Sequence, residues 1–142
     1  MFYFDTSFLA PLFVTEAASD EVEAVMAGIV GESLAVSHWT RVEFSSLLAR
    51  RLRMGELAAT DMERIDGQFE TVLRESFQII APSPADFDRA KAFLARPEAG
   101  LRAGDALHLA IARNHGAHAV YSLDKGMLAA GETFGISMRA LA

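Results

Sequence analysis

Short apolar runs alternate along the chain with longer stretches in which apolar side chains recur every three or four residues. The runs are Met1–Phe4, Ser33–Ser37, Phe77–Ile80, Ala119–Leu123 and Gly135–Met138. None has the strict in-and-out alternation of a half-solvated strand, so each reads as a short strand buried on both faces. Helical spacing predicts segments at Ser7–Val14 and Ser19–Gly28, and a longer helix over about Thr40–Met54. This last carries Phe44, Leu47, Leu48 and Leu52 on one side and stops at Gly55. The spacing of Thr60 and Glu63 predicts a capping box that opens a helix to about Glu75. Ser83 followed by Pro84 is a second helix start, with serine as cap and proline at the first helical position. That helix should end near Ala95. Asp105–His115 is the most apolar helix and is closed by Gly116, and a short helix at Met127–Ala130 precedes the last strand.

Strands and helices in alternation predict a three-layer α/β/α sandwich around a parallel sheet of about five strands. Residues 1–142 contain no linker or repeat and read as one domain. Right-handed crossovers bring the strand C-termini to one edge, where open α/β folds bind ligands. Four acids fall at that edge. Asp5 closes the first strand, Glu43 lies early in the helix after the second, Asp105 begins the apolar helix, and Asp124 follows the fourth strand. Gathered carboxylates repel unless a cation sits among them, and Mg²⁺ or Mn²⁺ suits oxygen donors.

Each acid has a plainer reading. Asp5 and Asp124 could be helix caps, Asp105 a first-turn acid favoured by the helix dipole, and Glu43 an exposed residue paired with Arg41 or Arg50. Only together do they point to a site. Composition adds limits. The hydrophobic fraction of 51 % is that of an ordinary globular domain. The absence of cysteine removes disulfides and thiolate zinc sites, and fits a reducing cytoplasm. The first residues have neither the basic opening nor the apolar length of a signal peptide. A net charge of −6 does not advertise nucleic-acid binding. The crowding of Arg41, Arg50, Arg51 and Arg53 on one helix reads as a solvated face with cations near a helix C-terminus. His38, His115 and His118 show no ligand spacing, and His108 is expected to pack or to make a surface hydrogen bond. Trp39 and Phe44 could stack a base, although core packing is the expected job.

Asp5-Thr6-Ser7 after an apolar strand, Arg41-Val42-Glu43-Phe44, the stretch Leu101–Ala110 through Asp105, and Ser122-Leu123-Asp124 together resemble the PIN domain. Within that family the chain is similar to the VapC-type ribonuclease toxins of bacterial toxin–antitoxin pairs. The resemblance implies a PIN fold with an acidic pocket that holds Mg²⁺ or Mn²⁺. Asp5, Glu43, Asp105 and Asp124 fall at its four acidic positions, with Asp5 and Asp105 the first choice for direct metal ligands. Glu43 and Asp124 would act through water or orient the nucleophile. Ser7 and Ser122 fall at supporting positions, hydrogen-bonding the carboxylates or metal-bound waters. Arg102 and Lys125 are candidate phosphate contacts. Many relatives carry a further acid where this chain has Lys125-Gly126, so a second metal is not implied.

The expected activity is hydrolysis of RNA phosphodiesters, with a cognate antitoxin as partner. A homodimer is expected through Phe8, Leu12, Phe13, Leu47, Leu48, Leu57 and Met62, which offer more apolar helical surface than one small sheet should cover. Two other classes are the alternatives: a PIN-fold binding module without activity, and a Mg²⁺-dependent phosphoryl-transfer domain of receiver or dehalogenase type. Against the latter, Ser7 stands where a dehalogenase-type site places a second Asp, and the third strand ends in Ala81-Pro82 without an acceptor acid.

Overall fold

A computed structural model describes residues 1–141. Its centre is a single sheet of β1 (Phe2–Phe4), β2 (Leu34–Ser37), β3 (Gln78–Ile80), β4 (Ala119–Tyr121) and β5 (Met138–Arg139). The strand order is β3-β2-β1-β4-β5, and every neighbouring pair is parallel. The expected sandwich is therefore present. Successive side chains of a strand point to opposite faces, and the core divides accordingly. Phe2, Phe4, Val36 and Tyr121 enter one layer, whereas Tyr3, Ala35 and Val120 enter the other.

The first layer is covered by α1 (Thr6–Leu9), α2 (Ser19–Gly28), α3 (His38–Arg53) and α4 (Ala59–Ser76). Phe44 and Phe69 stack there with ring centroids 3.9 Å apart, and Phe13 meets both edge-on. Phe44 is fully buried, so core packing is its role and base stacking is excluded. The second layer is covered by α5 (Pro84–Leu94), α6 (Ala103–Asn114) and α7 (Lys125–Thr133).

Three local expectations need correction. The helix predicted to open at Thr60 begins at Ala59, and the Ala58 N–H is satisfied by Asp61 rather than within a Thr60–Glu63 pair. Alanine at 59 is a good helix former, which is compatible with the earlier start. The short helix expected at Met127–Ala130 is longer at both ends. Asp124 accepts from the Met127 N–H to start it, and Gly135, at φ +73°, closes it in the left-handed region. That closure displaces β5 from Gly135–Met138 to Met138–Arg139. Finally, Phe8 and Leu48 are fully buried, and Leu12, Phe13, Leu47, Leu57 and Met62 pack half-buried on the same core. Phe8 and Leu48 are thereby removed from the surface expected for a dimer, and the other five keep only part of their apolar surface exposed. Large exposed apolar side chains stand at Val30 and Met54, and, near one another, at Val42 on α3 and at Phe87 and Leu94 on α5.

The pairing of α5 with α6 is fixed by a buried carboxylate. Asp86 has no exposed surface and accepts from the Ser83 N–H (2.9 Å), Asn114 Nδ2 (2.8 Å) and His115 Nε2 (3.2 Å). Burial pushes its carboxyl upward, but these donors outweigh that effect and hold it below the usual range. A lowered carboxyl contributes stability above its ordinary value and loses it as pH falls through the lowered one. Asp86→Ala should cost about 2–4 kcal/mol at neutral pH by leaving buried donors unpaired. Denaturant titrations should show the gap between variant and parent narrowing as pH falls below roughly 4.

Candidate active site

The site is built where the strand order reverses. From β1 the chain winds toward β2 and β3, whereas from β4 it winds toward β5, so the C-terminal ends of β1 and β4 flank a switch point. Asp5 follows β1 and caps α1, its Oδ1 accepting from the Phe8 N–H at 3.1 Å. Asp124 follows β4 and caps α7 through Oδ1. Both residues cap a helix and both also line the site pocket. Asp105 lies in the first turn of α6, and Glu43 in the second turn of α3. All four line one pocket of about 290 Å³, together with Thr6, Ser7, Ser46, Leu47, Arg50 and Arg102.

Hydroxyl groups organise Asp5. Ser7 Oγ donates to its Oδ1 at 2.8 Å, and Ser122 Oγ donates to its Oδ2 at 2.9 Å. Each serine also accepts a backbone N–H, from Leu123 and Asp124 respectively, so both hydroxyls are oriented from behind. Arg102 pairs with Asp124 Oδ2 at 3.0 Å and with Asp105 Oδ2 at 3.4 Å, yet is 77 % exposed. Lys125 is exposed and does not line the pocket.

Burial acts first on three of these acids, and their neighbours then decide whether it prevails. Burial raises the Asp5 carboxyl, against the lowering pull of His108, Ser7, Ser122 and the Phe8 N–H. Burial also raises Asp105, opposed by Arg102 and reinforced by Asp124. Glu43 goes the other way. Burial pushes it up, but His108, Thr6 and Arg102 together hold it below the usual range.

Among the described residues, no three His, Asp or Glu side chains already converge as an ion cage. The donor chemistry nevertheless fits a hard divalent ion: four carboxylates share one pocket, and a guanidinium is the charge that bridges two of them. Residues overlooked in the sequence also belong here. Thr6 Oγ1 donates to Glu43 Oε1 at 2.6 Å, and Arg50 lines the pocket. His108 is not at the surface but fully buried against Glu43. Its place one turn after Asp105 was the available signal. Trp39 does not enter the acidic pocket. It lines an adjoining apolar cavity of about 540 Å³, beside Gly104.

The family model for the PIN domain matches residues 2–132. VapC20 of Mycobacterium tuberculosis, described as a sarcin-ricin loop cleaving toxin, superposes with a TM-score of 0.74 at 22 % identity. The match covers 92 % of this chain and 95 % of that one. FitAcB from Neisseria gonorrhoeae gives 0.76 at 16 % identity, covering 97 % and 96 %. A toxin–antitoxin complex from Klebsiella pneumoniae gives 0.61 at 22 % identity, covering 87 % of each chain. No curated protein matches.

Because Asp5 is raised in the fold, its ionisation destabilises the metal-free protein as pH climbs from the ordinary carboxylate value through the raised one. Asp5→Asn should therefore melt at or a few degrees above the parent near neutral pH in chelator. That advantage should vanish below roughly pH 4, where the parent's own carboxyl is protonated. Melting curves across this range check the sign.

Proposed function

Since the chain belongs to the PIN-domain family, we propose that it is a metal-dependent endoribonuclease and the toxin of a toxin–antitoxin pair. The observation that carries this reading is the gathering of Asp5, Glu43, Asp105 and Asp124 from four separate elements into one pocket. The phosphoryl-transfer alternative falls away with the family assignment.

Mg²⁺ or Mn²⁺ bound here would activate a water and offset charge on the phosphate. Asp5 and Asp105 would hold it directly, and Glu43 and Asp124 through water. Ser7 and Ser122 keep Asp5 fixed by occupying its two oxygens from the protein side. The exposed Arg102 is placed to turn from its two carboxylates to an RNA phosphate, for which its planar donors are suited. Arg50 offers a second charge on the same wall, whereas Lys125 would meet only a neighbouring phosphate.

Related structures support the partner assignment, because that from Klebsiella pneumoniae is a toxin–antitoxin complex. An antitoxin arginine would suit this pocket for the reason that Arg102 does. A homodimer would bury Val42, Phe87 and Leu94 around the apolar cavity between α3 and α5. Sedimentation of Phe87→Glu as a monomer, beside a dimeric parent, is the check on that surface.

RNA cleavage should require Mg²⁺ or Mn²⁺, vanish in chelator, and fall by several decades in Asp5→Asn and Asp105→Asn with the fold intact. Expression of the parent alone should arrest growth, and the Asp5→Asn chain should not. Chelator-resistant cleavage would contradict the mechanism, and a folded parent that neither binds the ion nor cuts RNA would be the inactive binding module.

A further inference from the structure

Every residue of α6 from Ala106 to Ala112 is buried, and the one polar side chain among them is His108, at 1 % exposure. Both ring nitrogens are engaged. Nδ1 lies 2.7 Å from Tyr3 Oη and Nε2 lies 2.5 Å from Glu43 Oε1. Tyr3 is itself fully buried in β1, and its hydroxyl also bonds Ser37 Oγ at 2.9 Å, at the end of β2. A continuous polar chain thus runs from the middle of the sheet to the acidic pocket.

The chain has a direction set by chemistry. A carboxylate only accepts, so His108 Nε2 presents its hydrogen to Glu43. Thr6 Oγ1 donates to the same Oε1 atom. Two donors on Oε1 leave Oε2 as the oxygen facing other work. Gly104 stands next to it, where a Cβ would lie 2.9 Å from Oε2 and 3.3 Å from the Trp39 ring. A side chain at 104 would push Oε2 away, and glycine leaves it room.

We propose that His108, held by Tyr3, is a positioning residue that locks Glu43 with Oε1 tied to the protein and Oε2 presented to the divalent ion or its bound water. This rests on the metal-dependent reading above. Hydrogen-bonded supports of this kind commonly change metal affinity by about 10- to 100-fold when removed. The sequence offers no motif for it, because the three residues come from positions 3, 43 and 108.

Mn²⁺ binding measured by calorimetry, with no RNA present, is the test. His108→Leu should weaken binding about tenfold or more. His108→Gln, whose amide nitrogen can occupy the Nε2 position and donate, should bind close to the parent. Tyr3→Phe should weaken binding in the same direction by less, and should add nothing in the His108→Leu background. Parental affinity in a folded His108→Leu chain, or no recovery in His108→Gln, would overturn the proposal. If His108→Leu does not fold, parental affinity in Tyr3→Phe overturns it instead. A parent chain that binds no Mn²⁺ would defeat the functional reading first, and that outcome is distinct from a parent that binds equally well with and without the His108 support.

Discussion

A carboxylate placed at the end of a central, fully buried strand must find donors or cease to be charged, and the site depends on how Asp5 meets that demand. Asp5 is only 4 % exposed and has three donors: two serine hydroxyls and the Phe8 N–H in the first turn of α1. One serine comes from the start of α1 and the other from the end of β4. The bonds that solvate Asp5 inside the protein therefore also join the two strands that flank the switch point. They do not fully replace water, since the carboxyl remains raised. That residual cost suits a cation site. A charge that is under-solvated in the folded chain gains most when a positive partner arrives.

The same logic orders the basic residues. Two arginines of the α3 crowd are committed elsewhere, Arg41 to Glu70 and Arg51 to Glu16, at 2.7 Å each. For these two the reading of a merely solvated helix face gives way to part-buried bridges that tie α3 to Glu70 of α4 and to Glu16 ahead of α2. Arg50 is different because its position on α3 turns it into the acidic pocket, where Arg102 approaches from the start of α6. Net charge of −6 is thus a poor guide to this surface. The local potential is set by the two guanidinium groups and four carboxylates that line one pocket, rather than by the sum over the chain.

How much of this was legible in the sequence follows from which forces are local. The strands could be read because a parallel sheet buried on both faces demands uninterrupted apolar runs, and the start of α5 because Ser83-Pro84 acts within one turn. The four acids were legible as strand-end and helix-start residues, and family resemblance joined them. Boundaries failed where a neighbour decided them. Asp124 extended α7 backward, Gly135 stopped it, and β5 moved in consequence. The apolar early helices misled for a related reason. Their side chains looked surplus to a small sheet, but α2 and α4 fold over them, and a ring cluster of Phe13, Phe44 and Phe69 absorbs what seemed left over.

His108 marks the boundary of what spacing can reveal. A histidine in an apolar helix is ordinarily a packing residue, and by burial this one is. Its meaning changes only when Tyr3 and Glu43 arrive from other layers, since then each ring nitrogen has a partner and one partner is a pocket carboxylate. The fold supplies both contacts without altering the apolar pattern of α6, which is why periodicity could not distinguish the roles. Glu43 also becomes unlike two of its companions. Asp5 and Asp105 are raised by burial, whereas Glu43 is held below its usual range by the donors around it. On the metal-dependent reading this would divide the work: Glu43 is shaped by the protein beforehand, and the two raised carboxylates would gain most from an incoming cation.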